Sequence, residues 1–95
     1  MSRFGEVKDV WTHLENDSTA AMNLRVRSAL MRALNREIKT WEGTRETHAQ
    51  RLNTTGMRLN DLAEGNIDKF TIDALVVMCV KAELKIEFHI KGIDA

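Results

Sequence analysis

The chain has 95 residues, enough for one small domain with one core. Fourteen basic side chains balance fourteen acidic ones, so the formal net charge is zero. That balance excludes a global pull toward nucleic acid or an anionic membrane, and any such binding must come from local patches.

The opening "MSRFGEVKDV" lacks an apolar h-region, so it does not read as a secretory signal. In "EVKDVWTHLE", residues 6–15, Val7, Val10, Trp11 and Leu14 fall at i, i+3, i+4 and i+7 and predict a short amphipathic arm. "NDST" at 16–19 interrupts it, and Asp17 or Ser18 is the expected cap of the next helix. That long helix is expected over 20–42. Val26, Leu30, Ala33, Leu34, Ile38 and Trp41 form its apolar stripe, and Met22, Leu24, Ala29 and Met31 widen it. Its polar side carries Arg25, Arg27, Arg32, Arg36 and Lys39 against Glu37 and Glu42. Gly43 is the expected C′ residue.

Thr44 then caps a short helix running to about Leu52. Asn53 supplies a turn residue at ease in the left-handed conformation. Thr54-Thr55 cap a third helix, about Gly56 to Glu64, which Gly65 ends. After the "NIDKF" loop, Thr71 caps a last helix over 71–83, buried through Ile72, Leu75, Val76, Cys79 and Val80. A single cysteine excludes an internal disulfide and fits a reducing cytoplasm. In the apolar run "ALVVMCV" it reads as a buried thiol. No apolar run approaches the ~20 residues of a membrane span.

The end changes period. In "LKIEFHIK", residues 84–91, Leu84, Ile86, Phe88 and Ile90 alternate with Lys85, Glu87, His89 and Lys91. Period two predicts a strand. No second strand of this quality exists in the sequence, so pairing with a symmetric copy is the economical way to satisfy its backbone. Leu84, Ile86, Phe88 and Ile90 are then the expected dimer interface. The expected fold is mainly α, a single domain over 1–95 with about five helices and one C-terminal β-strand.

Within it, 44–65 has helix-turn-helix spacing. Two short helices must cross on a small residue, with a turn that tolerates positive φ, and the second must project side chains into the major groove. Counting from Arg45, the fifth residue is Ala49, the small contact, and the ninth is Asn53, the turn. Leu52, Leu59 and Leu62 are the apolar anchors.

From Val7 onward the chain resembles the XRE-type helix-turn-helix proteins that serve as HigA-like antitoxins. The resemblance rests on "VKDVW" (7–11), "AAMNLRVRSALMRAL" (20–34), the Thr44, Ala49 and Leu52 spacing, and "GNIDKFTIDAL" (65–75). It implies a compact lambda-repressor-like bundle and a cytoplasmic homodimer. It also implies two partners: double-stranded operator DNA, read in the major groove, and a RelE/HigB-like ribonuclease toxin. The departures lie in the motif. Arg45 stands where the family usually places a phosphate-holding Gln, and Asn53 where it usually has Gly. The usual Thr-Gln-Pro-Arg opening of the recognition helix is Thr55-Gly56-Met57-Arg58.

Chemistry assigns each candidate contact a role. Thr44, Arg45, Thr55 and Lys69 suit phosphates. Arg58 can bond guanine bidentately or hold a phosphate, and Asn60 can pair with adenine. Gly56 permits close approach. Met57 offers an apolar contact to a thymine methyl. Asp61 is repelled by phosphate and can only accept from a cytosine amino group. Across 44–70 the charges cancel: Arg45, Arg51, Arg58 and Lys69 against Glu46, Asp61, Glu64 and Asp68. That balance keeps a second expectation open, a protein-interaction module that retains the fold and dimer but reads DNA weakly. His13, His48 and His89 do not form a metal-ligand pattern, and neither metal nor cofactor is expected. No nucleophile motif, phosphate loop or carboxylate pair points to catalysis, so the expectation is a non-enzyme.

Overall fold

The structure is a computed structural model that describes residues 18–92. It contains α1 (Ser18–Ile38), α2 (Arg45–Arg51), α3 (Gly56–Ala63), the 3-10 turn η1 (Ile67–Lys69) and α4 (Ile72–Lys81). The expected arm over 6–15 and the candidate cap Asp17 lie outside the described residues. Among those residues there are four α-helices, and none is long and apolar enough to cross a membrane.

α1 is the spine. It packs on α4, on η1 and on α3, while α2 packs against α3. One cluster fills the interior, and Leu34, Leu52, Leu62, Leu75 and Cys79 are its largest fully buried side chains. Burial pushes the Cys79 thiol up, which holds it protonated and inert.

The three short helices are punctuated alike. Thr44, Thr55 and Thr71 are the N-caps, and their hydroxyls accept from the amides of Thr47, Arg58 and Ala74. Each helix closes with a Schellman motif. Thr54 N–H donates to Ala49 O and Asn53 N–H to Gln50 O. Asn66 N–H donates to Asp61 O and Gly65 N–H to Leu62 O. Leu84 N–H donates to Cys79 O and Glu83 N–H to Val80 O. The left-handed residues are Asn53 (φ 57), Gly65 (φ 76) and Glu83 (φ 64). Glu83 is the strained member, because a side chain in this region costs about 1–2 kcal/mol. Glycine avoids that cost but loses about 0.5–1 kcal/mol through unfolded-chain entropy. Glu83→Gly is therefore expected to stabilise the fold by about 0.5–1 kcal/mol, read as a rise in the urea midpoint. Asn53→Gly should gain less, since Asn tolerates the conformation.

Four expectations need correction. The long helix ends at Ile38 rather than 42. The chain turns through Lys39–Thr40, with Trp41 N–H donating to Ile38 O. Gly43 is therefore not a helix cap. At φ +112 it makes the bend into α2, and a Cβ there would lie 2.7 Å from Thr47 Oγ1. The last helix stops at Lys81 and turns Val80 outward, 63% exposed, while Met78 takes the buried place.

Arg27 does not belong to a solvated basic face. It is half-buried, and its Nη1 donates to Ile67 O at 2.9 Å and to Phe70 O at 3.4 Å. Its Nε is held by Asn23 Oδ1 at 2.6 Å. Arg27 thus pins η1 to α1. Arg27→Met keeps the aliphatic stem but strands two carbonyls. It is expected to cost about 1–3 kcal/mol, measurable by thermal denaturation.

The fourth correction concerns the strand. Residues 84–92 carry no assigned strand, and among the described residues no β-ladder is present. The alternation is nonetheless expressed over its first half. Leu84 and Ile86 pack against the core, while Lys85 and Glu87 pair at 3.4 Å on the solvent side. Beyond that the apolar row leaves the body. Phe88 is 70% and Ile90 89% exposed. A ladder needs a partner edge, and the four-helix body offers none.

Candidate nucleic-acid interface

α2 and α3 form the expected hairpin. Ala49 is buried at the fifth position, and Asn53 takes positive φ at the ninth. Leu52, Leu59 and Leu62 are all buried beneath it. Two side chains set the ends of this unit. Asn35 Nδ2 donates to Leu62 O at 2.9 Å, tying the end of α3 to α1. Trp41 receives the Arg51 guanidinium over its ring at 3.8 Å and meets the His48 ring edge-on at 5.5 Å. His48 Nε2 also lies 3.2 Å from Glu42 O. These contacts fasten α2 to the segment that joins it to α1.

Successive residues of α3 are about 100° apart around its axis, which divides its surface into sectors. Leu59 and Leu62 point into the core. Arg58 and Asp61 share one flank. There the Arg58 guanidinium donates to Lys69 O at 3.0 Å and lies 4.5 Å from the Phe70 ring centroid. Asp61 is half-buried, and its Oδ1 accepts from Asn66 Nδ2 at 3.0 Å. Both charged residues of α3 therefore hold the loop that follows it.

On the opposite flank Gly56 and Ala63 face the end of α1 and the start of α2. A Cβ on Gly56 would sit 3.9 Å from Arg45 Cδ, in ordinary contact, so nothing inside the chain demands glycine there. An open groove of about 380 Å³ borders this flank, lined among others by Asn35, Lys39, Arg45, His48 and Ala63.

The outward sector holds Met57, 76% exposed, and Asn60, exposed one turn later. Thr44 and Thr55 are exposed, but their hydroxyls cap their own helices. The Arg45 and Lys69 side chains are exposed, and among the described residues neither makes an ion pair. The nine candidate residues thus fall into three groups. Met57 and Asn60 form the bare face, with half-buried Gly56 at its edge. Thr44, Arg45, Thr55 and Lys69 surround it. Arg58 and Asp61 are turned to the fold. Lys39 joins the surrounding group, and the basic side of the long helix was the signal for it.

A family model described as a helix-turn-helix domain matches residues 14–91. The chain belongs to this family. Helix-turn-helix domains are DNA-binding modules in which the second helix enters the major groove, and α3 is the second helix of the motif here. No curated protein matches the chain.

Proposed function

We propose that the chain is a transcription regulator that binds duplex operator DNA through α3, as a homodimer that represses its own operon. One observation carries the reading: exposed basic residues lie on both flanks of the bare face of α3, two on one side and one on the other. Lys39 and Arg45 flank the Gly56 side, and Lys69 flanks the Arg58 side. A helix in the major groove lies between two phosphate backbones, and cations on both flanks suit that position. Gly56 lets the backbone approach closely, since no neighbour in the chain explains its missing Cβ.

Exposed apolar side chains support the homodimer. Val77, Val80, Phe88 and Ile90 all lie in the last part of the chain and face solvent. Pairing of 84–91 between two copies would cover part of them and give the backbone a ladder partner. Two recognition helices would then be held for half-sites about 34 Å apart. The resemblance to HigA-like antitoxins supports an antitoxin role in the cytoplasm, with a RelE/HigB-like toxin as protein partner. The reading includes neither catalysis nor a cofactor.

A second reading has its own support. The motif's charges cancel, and Arg58 and Asp61 are spent inside the fold. A module that keeps fold and dimer to bind a protein would look similar. Arg45→Ala and Lys69→Ala separate the two. If each cation holds a phosphate, each substitution weakens binding to every duplex alike and lowers the salt slope by about 1. Unchanged slopes for both would favour the protein-binding module.

A further inference from the structure

We propose that Asn60 and Met57 read an A·T pair and the methyl of a neighbouring thymine, so that this chain's half-site carries no arginine–guanine contact from the recognition helix. The inference rests on the DNA-binding reading above and adds which base chemistry α3 recognises. Three observations carry it.

The first is the placement of Arg58. The commonest specific contact to guanine is a bidentate arginine on its O6 and N7. Arg58 is the single arginine in α3, which contains no lysine. Its guanidinium is already bonded to Lys69 O and seated on the Phe70 ring, a buried side chain. Reaching a base edge would give up both contacts.

The second is Asp61, the side chain able to accept from cytosine N4. It is half-buried against Asn66, whose backbone amide also bonds Asp61 O. Both halves of a G·C-directed code are thus withdrawn from the outward sector.

The third is what remains. Asn60 is exposed, and among the described residues its amide makes no side-chain hydrogen bond, so both of its groups are available. An amide pairs bidentately with adenine N6 and N7. Met57 is 76% exposed at the second position of α3 and carries only apolar reading chemistry. The thymine C5-methyl is the apolar group in the major groove.

Selection of full-length chain on a random duplex library tests the assignment, followed by affinities for the enriched site. Wild type is expected to enrich an A·T pair that Asn60→Ala no longer distinguishes, with discrimination falling on the order of 10-fold at that pair alone. Replacing the adjacent thymine by deoxyuridine removes one methyl group. It should weaken wild type several-fold and leave Met57→Ala unaffected. Arg58→Met should lower thermal stability yet select the same bases. Both Asn60→Ala and Met57→Ala alter exposed side chains, and circular dichroism would verify that they fold. Enrichment of a guanine whose preference disappears in Arg58→Met, with Asn60→Ala without effect, overturns the assignment and leaves DNA binding standing. Failure of wild type to enrich any duplex overturns both.

Discussion

Leu62→Ala is expected to cost about 3–5 kcal/mol of stability. Leu62 is fully buried in α3, and its carbonyl is held by Asn35 from α1 and by the Gly65 amide. Truncation removes an apolar anchor of α3 and leaves a cavity beside α1. A small domain has about 5–15 kcal/mol in total, so the variant should be partly unfolded near body temperature. Urea unfolding of purified protein measures this directly. A loss below about 1 kcal/mol would mean that α3 is not seated on the core as described. DNA binding should fall in parallel with the folded fraction, because the face formed by Met57 and Asn60, with Gly56 at its edge, exists only when α3 is anchored.

The double change Phe88→Ser and Ile90→Ser is expected to have the largest effect on assembly. In the single chain these side chains are 70% and 89% exposed, so replacing them should leave the fold untouched. In the proposed dimer they are buried. Burial of a large apolar side chain contributes about 1.5–3 kcal/mol. Two per subunit should weaken self-association by at least a hundredfold, since every 1.4 kcal/mol is tenfold. Sedimentation at micromolar concentration would show wild-type dimers and variant monomers with the same denaturation midpoint. Leu84 and Ile86 stay in place because they pack on the core, which is why the double change is cleaner than removing the whole segment. A wild-type chain that sediments as a monomer would refute pairing between copies, and 84–91 would then need a partner inside its own chain. The exposed apolar row would then need another cover.

Local signals were legible in the sequence and long-range ones were not. Thr44, Thr55 and Thr71 announced three helix starts because a cap is a property of adjacent residues, and each hydroxyl accepts three residues on. Asn53 announced the motif's turn in the same way. Ala49, Leu52, Leu59 and Leu62 followed from helical period. Glu83 gave no warning, because glutamate is not a turn former, yet it takes positive φ just before Leu84 packs back on the core.

The end of α1 misled for a related reason. Trp41 continues the helical period from Ile38, yet it is held by Arg51 and His48 across the bend rather than by a further turn. Arg27 and Arg58 looked like surface cations. Their partners lie 40 or more and 11 residues away in sequence, at the carbonyls of η1 and its flank, where no periodicity reaches. The alternation in 84–91 showed which side chains share a face. Pairing depends on a partner edge, and the described residues offer none.

In the proposed complex the face of α3 meets duplex DNA between two rows of phosphates. Fluorescence anisotropy tests it most directly, with the duplex upstream of the chain's own gene titrated at about 50 and 200 mM salt. The account predicts saturable binding at both, weakening with salt as expected for about 3–4 phosphates per subunit, and tighter than binding to a scrambled duplex. Binding that is absent, or equal for both duplexes at the higher salt, would contradict it.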